Sequence, residues 1–159
     1  MAIRQLAQRW LALDAEARQL ESQMRGLLDE LVRSLMAEVG VSTVNAANLV
    51  IAAGRNPERL RTEGSLAALC GTSPVEASSG KHQRHRINQG GNRQANSALH
   101  IAVLVRAQRC DETRAYIERR TEEGKSQREI WRCIKRALAR RFHRLLVNDL
   151  SRRTDILSG

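Results

Sequence analysis

At 159 residues the chain has room for one compact domain and an extension, and nothing larger. Hydrophobic residues make up 42% of it and aromatics only 3%, with Leu, Ala, Val and Ile dominant, a mixture that favours helices over strands. The formal charge of +10 sits entirely in residues 67–159, where nineteen basic residues face nine acidic ones, against eight and eight in 1–66; that asymmetry, built mostly from Arg, argues against a basic partner and for an anionic one such as nucleic acid.

Cys70, Cys110 and Cys133 are odd in number and lack a C-x-x-C spacing, so they read as reduced thiols. With no signal peptide and no apolar run of membrane-spanning length, the sequence reads as a soluble cytoplasmic protein.

From the amino terminus, Ile3, Leu6, Trp10, Leu13, Ala17, Leu20, Met24, Leu27 and Leu31 follow in alternating steps of three and four, a heptad seam. Continued to about Val39, it predicts a helix about 50 Å long. Such a seam is expected to be buried by a helix of another chain, giving a homo-oligomeric coiled coil, by a helix of a segment missing from this sequence, or along the protein's own core. Gly26 within it costs about 1 kcal/mol relative to Ala.

Gly40 breaks this helix, Ser42 or Thr43 can cap the next, and Ala46 to Ala53 form a short apolar helix ended by Gly54. Two helices joined by a tight Gly40-Val41-Ser42 turn are similar to a helix-hairpin-helix, whose turn N–H groups contact phosphate, although Ser42 stands at the second glycine position. Asn56-Pro57 starts a helical turn through Leu60, and Ser65 caps a helix containing Leu66, Ala67 and Leu69 that Gly71 ends.

The stretch from Leu66 to Ala98, LAALCGTSPVEASSGKHQRHRINQGGNRQANSA, reads as a long basic loop between two helical segments. A loop of that length inside a helical protein is functional or disordered, and apolar flanks favour function. It carries Ser78, Ser79, Lys81, His82, Arg84, His85 and Arg86, with Gly90-Gly91 permitting close backbone approach.

Asn92 is a suitable N-cap for a helix to about Cys110, with Ala95, Leu99, Ala102, Val103 and Ala107 on its apolar face. Asp111 is expected to cap a further helix that stops at Gly124. Ser126 and Glu129 form an S-x-x-E capping box for a last long helix to about Leu150, with Ile130, Ile134, Leu138, Phe142 and Leu145 on its apolar face. Arg128, Arg132, Arg136, Arg140 and Arg144 recur every four residues along it. Like charges so spaced repel, so a counter-charge is expected, either a phosphate backbone or Glu partners on a solvated face.

For chemistry, Ser79 is adjacent to a glycine in a basic segment. A serine hydroxyl can attack a phosphodiester if cations stabilise the charge at phosphorus, and Lys81, Arg84, Arg86 and Arg93 are the candidates; read locally, Ser-Ser-Gly is a turn triplet. His82 and His85 lack a further ligand for zinc, and no paired carboxylates suit Mg²⁺.

Three segments, GVSTVNAANLVIAAG, GTSPVEASSGKHQRHRINQGGNRQANSALH and EEGKSQREIWRCIKRALARR, resemble the carboxy-terminal transposase domain of the insertion-sequence 110 family, the DEDD-type bridge-RNA-guided recombinases. The resemblance spans about residues 36–147 and includes P-x-x-x-S-S-G and R-x-x-x-G-G-N in order. It implies that Ser79, with Ser78 as fallback, is a nucleophile acting with a RuvC-like domain whose four acidic residues bind Mg²⁺ and which has no counterpart in this sequence. It also implies DNA and a structured guide RNA as partners. Thr43 stands where proline is common, Gly54 where aspartate is usual, and Gln89 at a position often basic.

The expected architecture is therefore all-α: a coiled-coil helix over 1–39, a helical transposase domain over 40–150 with a helix-hairpin-helix-like turn and a central basic loop, and a flexible tail over 151–159. Lys81, Arg84, Arg86, Asn92, Arg93, Arg128, Arg132, Arg136 and Arg140 are the expected nucleic-acid contacts, Ser79 the catalytic residue, and no cofactor is expected in this chain. The rival expectation is a non-catalytic coiled-coil interaction protein or a plain DNA-binding module.

Overall fold

The long amino-terminal helix forms, and it is interrupted once. A computed structural model describes residues 1–54, 60–79, 82–87 and 90–157, with the backbone alone over 74–79, 82–87 and 153–157. In it α1 runs Ala2–Leu31 and α2 runs Arg33–Met36. At 30 residues α1 is about 45 Å long. The expected continuation to Val39 breaks at Val32, whose φ of −142° and ψ of 49° leave the helical region. The break is supported from a distance: the Asp149 carboxylate accepts from Ser34 N at 2.9 Å and from Leu35 N at 3.4 Å, replacing the backbone carbonyls those groups have lost. Val32 and Leu35 are both fully buried there.

After α2 the chain turns at Gly40, in the left-handed region with φ +90°. A Cβ at Gly40 would sit 2.8 Å from the Ala102 carbonyl oxygen and 2.9 Å from its Cα, so the turn presses backbone to backbone on a later helix. Helix α3, Thr43–Ala53, follows with Ser42 as its cap, Ser42 Oγ accepting from Asn45 N at 3.3 Å, and it ends at Gly54. The turn predicted at Asn56-Pro57 lies outside the described residues. Helix α4 is Glu63–Leu69. Its cap is Thr62 rather than the expected Ser65; Ser65 is the third helical residue, and its hydroxyl accepts from Thr62 N at 3.2 Å in a reciprocal box.

The stretch expected as an unstructured loop contains an antiparallel pair instead, β1 at Pro74–Ser79 and β2 at His82–Ile87, in register from Pro74 opposite Ile87 to Ser79 opposite His82. Helix α5, Arg93–Arg109, then crosses the centre, followed by α6, Asp111–Glu122, and α7, Gln127–Leu157. Cys110, not Asp111, occupies the residue before α6; Asp111 is its first helical residue and pairs with Arg114 one turn on. The box expected at Ser126 and Glu129 forms, with Ser126 N and Oγ donating to Glu129 Oε2 at 2.9 and 2.6 Å. Helix α7 passes the expected end at Leu150 because Ser151 to Leu157 contain neither Gly nor Pro to stop it, so most of the segment expected as a tail is helical.

Outside the hairpin the architecture is all-α, several helices packed around small residues. Ala46, Leu49 and Ala53 of α3 meet Ala95, Leu99, Ala102 and Val103 of α5, while Leu66 of α4 and Ile130, Ile134, Leu138, Phe142 and Leu146 of α7 complete the core. Leu146 takes the fully buried place expected of Leu145, so the buried stripe keeps steps of four and winds slowly around the helix. Of α1, only Leu28 is buried; Ile3, Leu6, Trp10, Leu13, Leu20 and Leu27 are exposed. Among the described residues no helix is long and apolar enough to cross a membrane.

One charged cluster ties the start of the body to its middle. Glu38 accepts from Arg106 Nη1 at 3.2 Å and from Arg141 Nε at 2.9 Å, with Arg106 and Glu38 side chains only 7% and 11% exposed. That carboxylate holds the Arg141 guanidinium above its usual range.

Candidate nucleic-acid interface

The hairpin grows from the carboxy-terminal end of α4, where helix carbonyls have no partners of their own. Gly71 takes φ +65° just past the helix. The outgoing strand ties back through Thr72 N and Thr72 Oγ1, both donating to the Ala67 carbonyl, at 2.8 and 3.1 Å. The returning strand closes the root with Asn92 N donating to the Leu69 carbonyl at 2.7 Å and Asn96 Nδ2 to the Cys70 carbonyl at 2.7 Å. The two sides meet glycine to glycine: a Cβ on Gly91 would lie 2.3 Å from Gly71 N and 2.5 Å from its Cα. Close approach was legible in Gly90-Gly91; its object is the other root of the hairpin. Cys70, buried in this junction, has its thiol pushed up to about 12 by desolvation and takes no part in acid–base chemistry near neutral pH.

Ser79 closes β1 opposite His82, Ser78 lies opposite Gln83, Arg84 opposite Ala77 and Arg86 opposite Val75. Lys81, between the strands, and Gln89 lie outside the described residues. Asn92 caps α5, its Oδ1 accepting from Gln94 N at 2.9 Å and Ala95 N at 3.0 Å, so that oxygen is committed to the helix. Arg93, the first residue of α5, is exposed.

Helix α7 presents the arginine series. Arg128, Arg132 and Arg140 are exposed and make no ion pair within 4 Å among the described residues. Arg144 pairs with Glu63 at 3.5 Å, and the half-buried Arg136 lies along its own helix, Nη2 at 3.6 Å from Cys133 Sγ. Of the two counter-charges expected from sequence, a glutamate forms an ion pair with Arg144 and another, Glu129, lies close enough to Arg132 for each to feel the other's charge.

Beside the series stands a lysine that sequence reasoning missed. Lys135 Nζ donates to Asn96 Oδ1 at 2.9 Å, and Asn96 passes the connection to the Cys70 carbonyl, so α7 is coupled to the hairpin root by one polar chain. Burial lowers the Lys135 ammonium below its ordinary value. Next to it the His100 ring packs tilted on Trp131 with centroids 5.2 Å apart, and desolvation followed by the Lys135 charge lowers its pKa. A signal existed: Trp131 and Lys135 are one turn apart on α7, and Asn96 and His100 one turn apart on α5.

The described residues do not fit a metal: no three His, Cys, Asp or Glu side chains among them converge. The arrangement can hold anions along α7 and fix a hairpin rigidly at its root.

No curated protein matches the chain. A model of the transposase IS116/IS110/IS902 family matches residues 32–118, from the buried break at Val32 through the hairpin into α6. With more than half of its 159 residues in that match, the chain belongs to the transposase IS116/IS110/IS902 family.

Proposed function

We propose that this chain is the nucleic-acid-binding, carboxy-terminal part of a DNA transposase, and that Ser79 is the nucleophile of strand exchange once a RuvC-like acidic domain holding Mg²⁺ is joined to it. The carrying observation is the row of exposed Arg128, Arg132 and Arg140 on the helix whose Lys135 is tied through Asn96 to the root of the Ser79 hairpin. In this reading phosphates along α7 supply the missing counter-charge. Lys81, Arg84, Arg86, Asn92 and Arg93 serve the strand near the hairpin. Ser79 Oγ bonds to the scissile phosphorus, the bond to one sugar oxygen breaks, and that sugar leaves as a hydroxyl. The phosphoserine link keeps the phosphodiester energy for the rejoining step.

The exposed seam from Ile3 to Leu27 pairs with a second copy, and a structured guide RNA shares the basic face with DNA. The Gly40–Ser42 turn adds at most a minor phosphate contact, because Val41 N already donates to the Glu38 carbonyl. The reading places the protein in the cytoplasm with its DNA.

The test is binding of the purified chain to duplex DNA and to a structured RNA across a salt series. A steep log–log slope is expected, and replacing Arg128, Arg132 and Arg140 together by Gln should remove about 3 units of it, near 0.9 per phosphate contact. A flat slope with negligible binding would overturn the reading and favour a coiled-coil interaction protein. With the acidic domain supplied, Ser79→Ala should lose the covalent protein–DNA adduct and keep binding; an unaffected adduct removes Ser79 from the role.

A further inference from the structure

Between α6 and α7 lies a cavity of about 500 Å³ that nothing above has used. Its floor is apolar, made by Ile134 and Leu138 of α7, and Tyr116 of α6 forms one wall. Its rim is charged, with Arg119, Arg141 and Glu112. The guanidinium carbons of Arg119 and Arg120 stand 5.6 and 5.8 Å from the centre of the Tyr116 ring, within cation–π range, so the ring already attracts cations to its face and an incoming base displaces the exposed Arg119 from it. Glu112 is exposed and has no ion-pair partner among the described residues.

We infer that this cavity takes one unpaired nucleobase of a single-stranded nucleic acid, stacked on Tyr116 with its sugar-phosphate held at the rim by Arg119, since Arg141 is already paired with Glu38. The inference rests on the nucleic-acid reading above and names the form of ligand that this second site takes. Size and chemistry agree. The volume holds a nucleotide with room to spare, and a flat ring between a tyrosine and two aliphatic side chains is the stacking platform that strand-binding proteins use. Arg119, which makes no ion pair among the described residues, and the Glu112 carboxylate at the mouth suit a phosphate outside and an amino-bearing base edge inside.

Position strengthens the case. Cys133 also lines the cavity, and Arg136 reaches its sulfur; Arg140 follows the lining residue Ala137 by three, so it borders the same face of α7. A strand whose phosphates follow Arg132, Arg136 and Arg140 therefore passes the mouth, and one base turned inward enters it. Duplex bases are stacked and paired and cannot enter, so the cavity discriminates by strandedness. Glu112 accepts a hydrogen bond from the exocyclic amino group of cytosine, which thymine and uracil lack.

The experiment uses the full chain with short oligo(dC), oligo(dT), oligo(rC) and oligo(rU) and with duplex DNA, by fluorescence anisotropy at fixed salt. Tyr116→Ala should weaken all four single strands about tenfold and leave duplex affinity within about twofold, while Tyr116→Phe, which keeps the ring, should bind like the parent. Glu112→Gln should reduce the preference for C over T or U, a preference of about fivefold or more in the parent. Comparing the deoxy and ribo series tells whether the displaced DNA strand or an RNA is the occupant. Circular dichroism melts confirm that each variant folds; should Tyr116→Ala not fold, Arg119→Gln with Glu112→Gln carries the same comparison. A chain that binds duplex and strand with no dependence on Tyr116, Arg119 or Glu112 overturns this inference alone. A chain that binds neither duplex nor strand overturns the nucleic-acid reading and this inference with it.

Discussion

Replacing Gly91 by Ala puts one methyl group where the two roots of the hairpin touch. That methyl would stand 2.3 Å from Gly71 N and 2.5 Å from Gly71 Cα, both backbone atoms that no rotamer change can move. Ordinary contact needs about 3.5 Å, so the roots must part by about 1 Å. Asn92 N to the Leu69 carbonyl, now 2.7 Å, would stretch beyond good hydrogen-bond geometry, and Asn96 Nδ2 to the Cys70 carbonyl with it. Two bonds at about 1 kcal/mol each, with about 1–3 kcal/mol for overpacking, give about 3–5 kcal/mol. That is a large part of the about 5–15 kcal/mol that stabilises a domain. Gly26→Ala is the control: nothing lies within 4 Å of its Cβ, and it sits inside α1, so it should stabilise by about 1 kcal/mol. Urea titrations at one protein concentration measure both, with hydrogen exchange of the Asn92 and Ala95 amides locating the damage. If Gly91→Ala unfolds within about 0.5 kcal/mol of the parent, the glycine-to-glycine junction does not hold the hairpin.

Glu38→Ala should cost about 3–5 kcal/mol in the same titration, since it strands the nearly buried Arg106 without its carboxylate; a loss below about 1 kcal/mol would show the arginine solvated. Asp149→Ala should cost about 1 kcal/mol by uncovering Ser34 N and Leu35 N at the start of α2, read from the shift in denaturation midpoint. The Glu129 carboxyl is held below its ordinary value by its hydrogen bonds from Ser126, so its contribution is fully present above the unfolded carboxyl range and is lost as pH falls through the lower folded value. Glu129→Gln should flatten that acid limb of the stability profile, and an identical limb in the variant would refute the assignment.

The helical body was readable because its apolar residues repeat with the helix: Leu99 and Val103 on α5, Ile134 and Leu138 on α7, and the Ser126–Glu129 box are local patterns. The hairpin was not. PVEASS and HQRHRI lack the sustained apolar alternation of a half-buried strand, and Ser-Ser-Gly-Lys, which ends the first and leads to the second, has the composition of a loop. Long-range polar ties left no trace either. Asp149 meets Ser34 across 115 positions and Lys135 meets Asn96 across 39, and no periodicity links residues so far apart. Among candidate site residues, the arginine series was legible from its four-residue spacing; that Arg136 lies against Cys133 and Arg144 against Glu63 depends on neighbours only the folded chain supplies.

The break at Val32 gives α1 a mechanical character. A rod about 45 Å long, gripped only at its last turn through Leu28, turns small rotations at the grip into large excursions at the tip. A tilt of about 10° at Val32 carries Ile3 about 8 Å sideways, roughly the spacing between packed helices. In the proposed pairing, two copies joined along their rods would thus present their basic faces at a range of separations while the packing of each body stays the same.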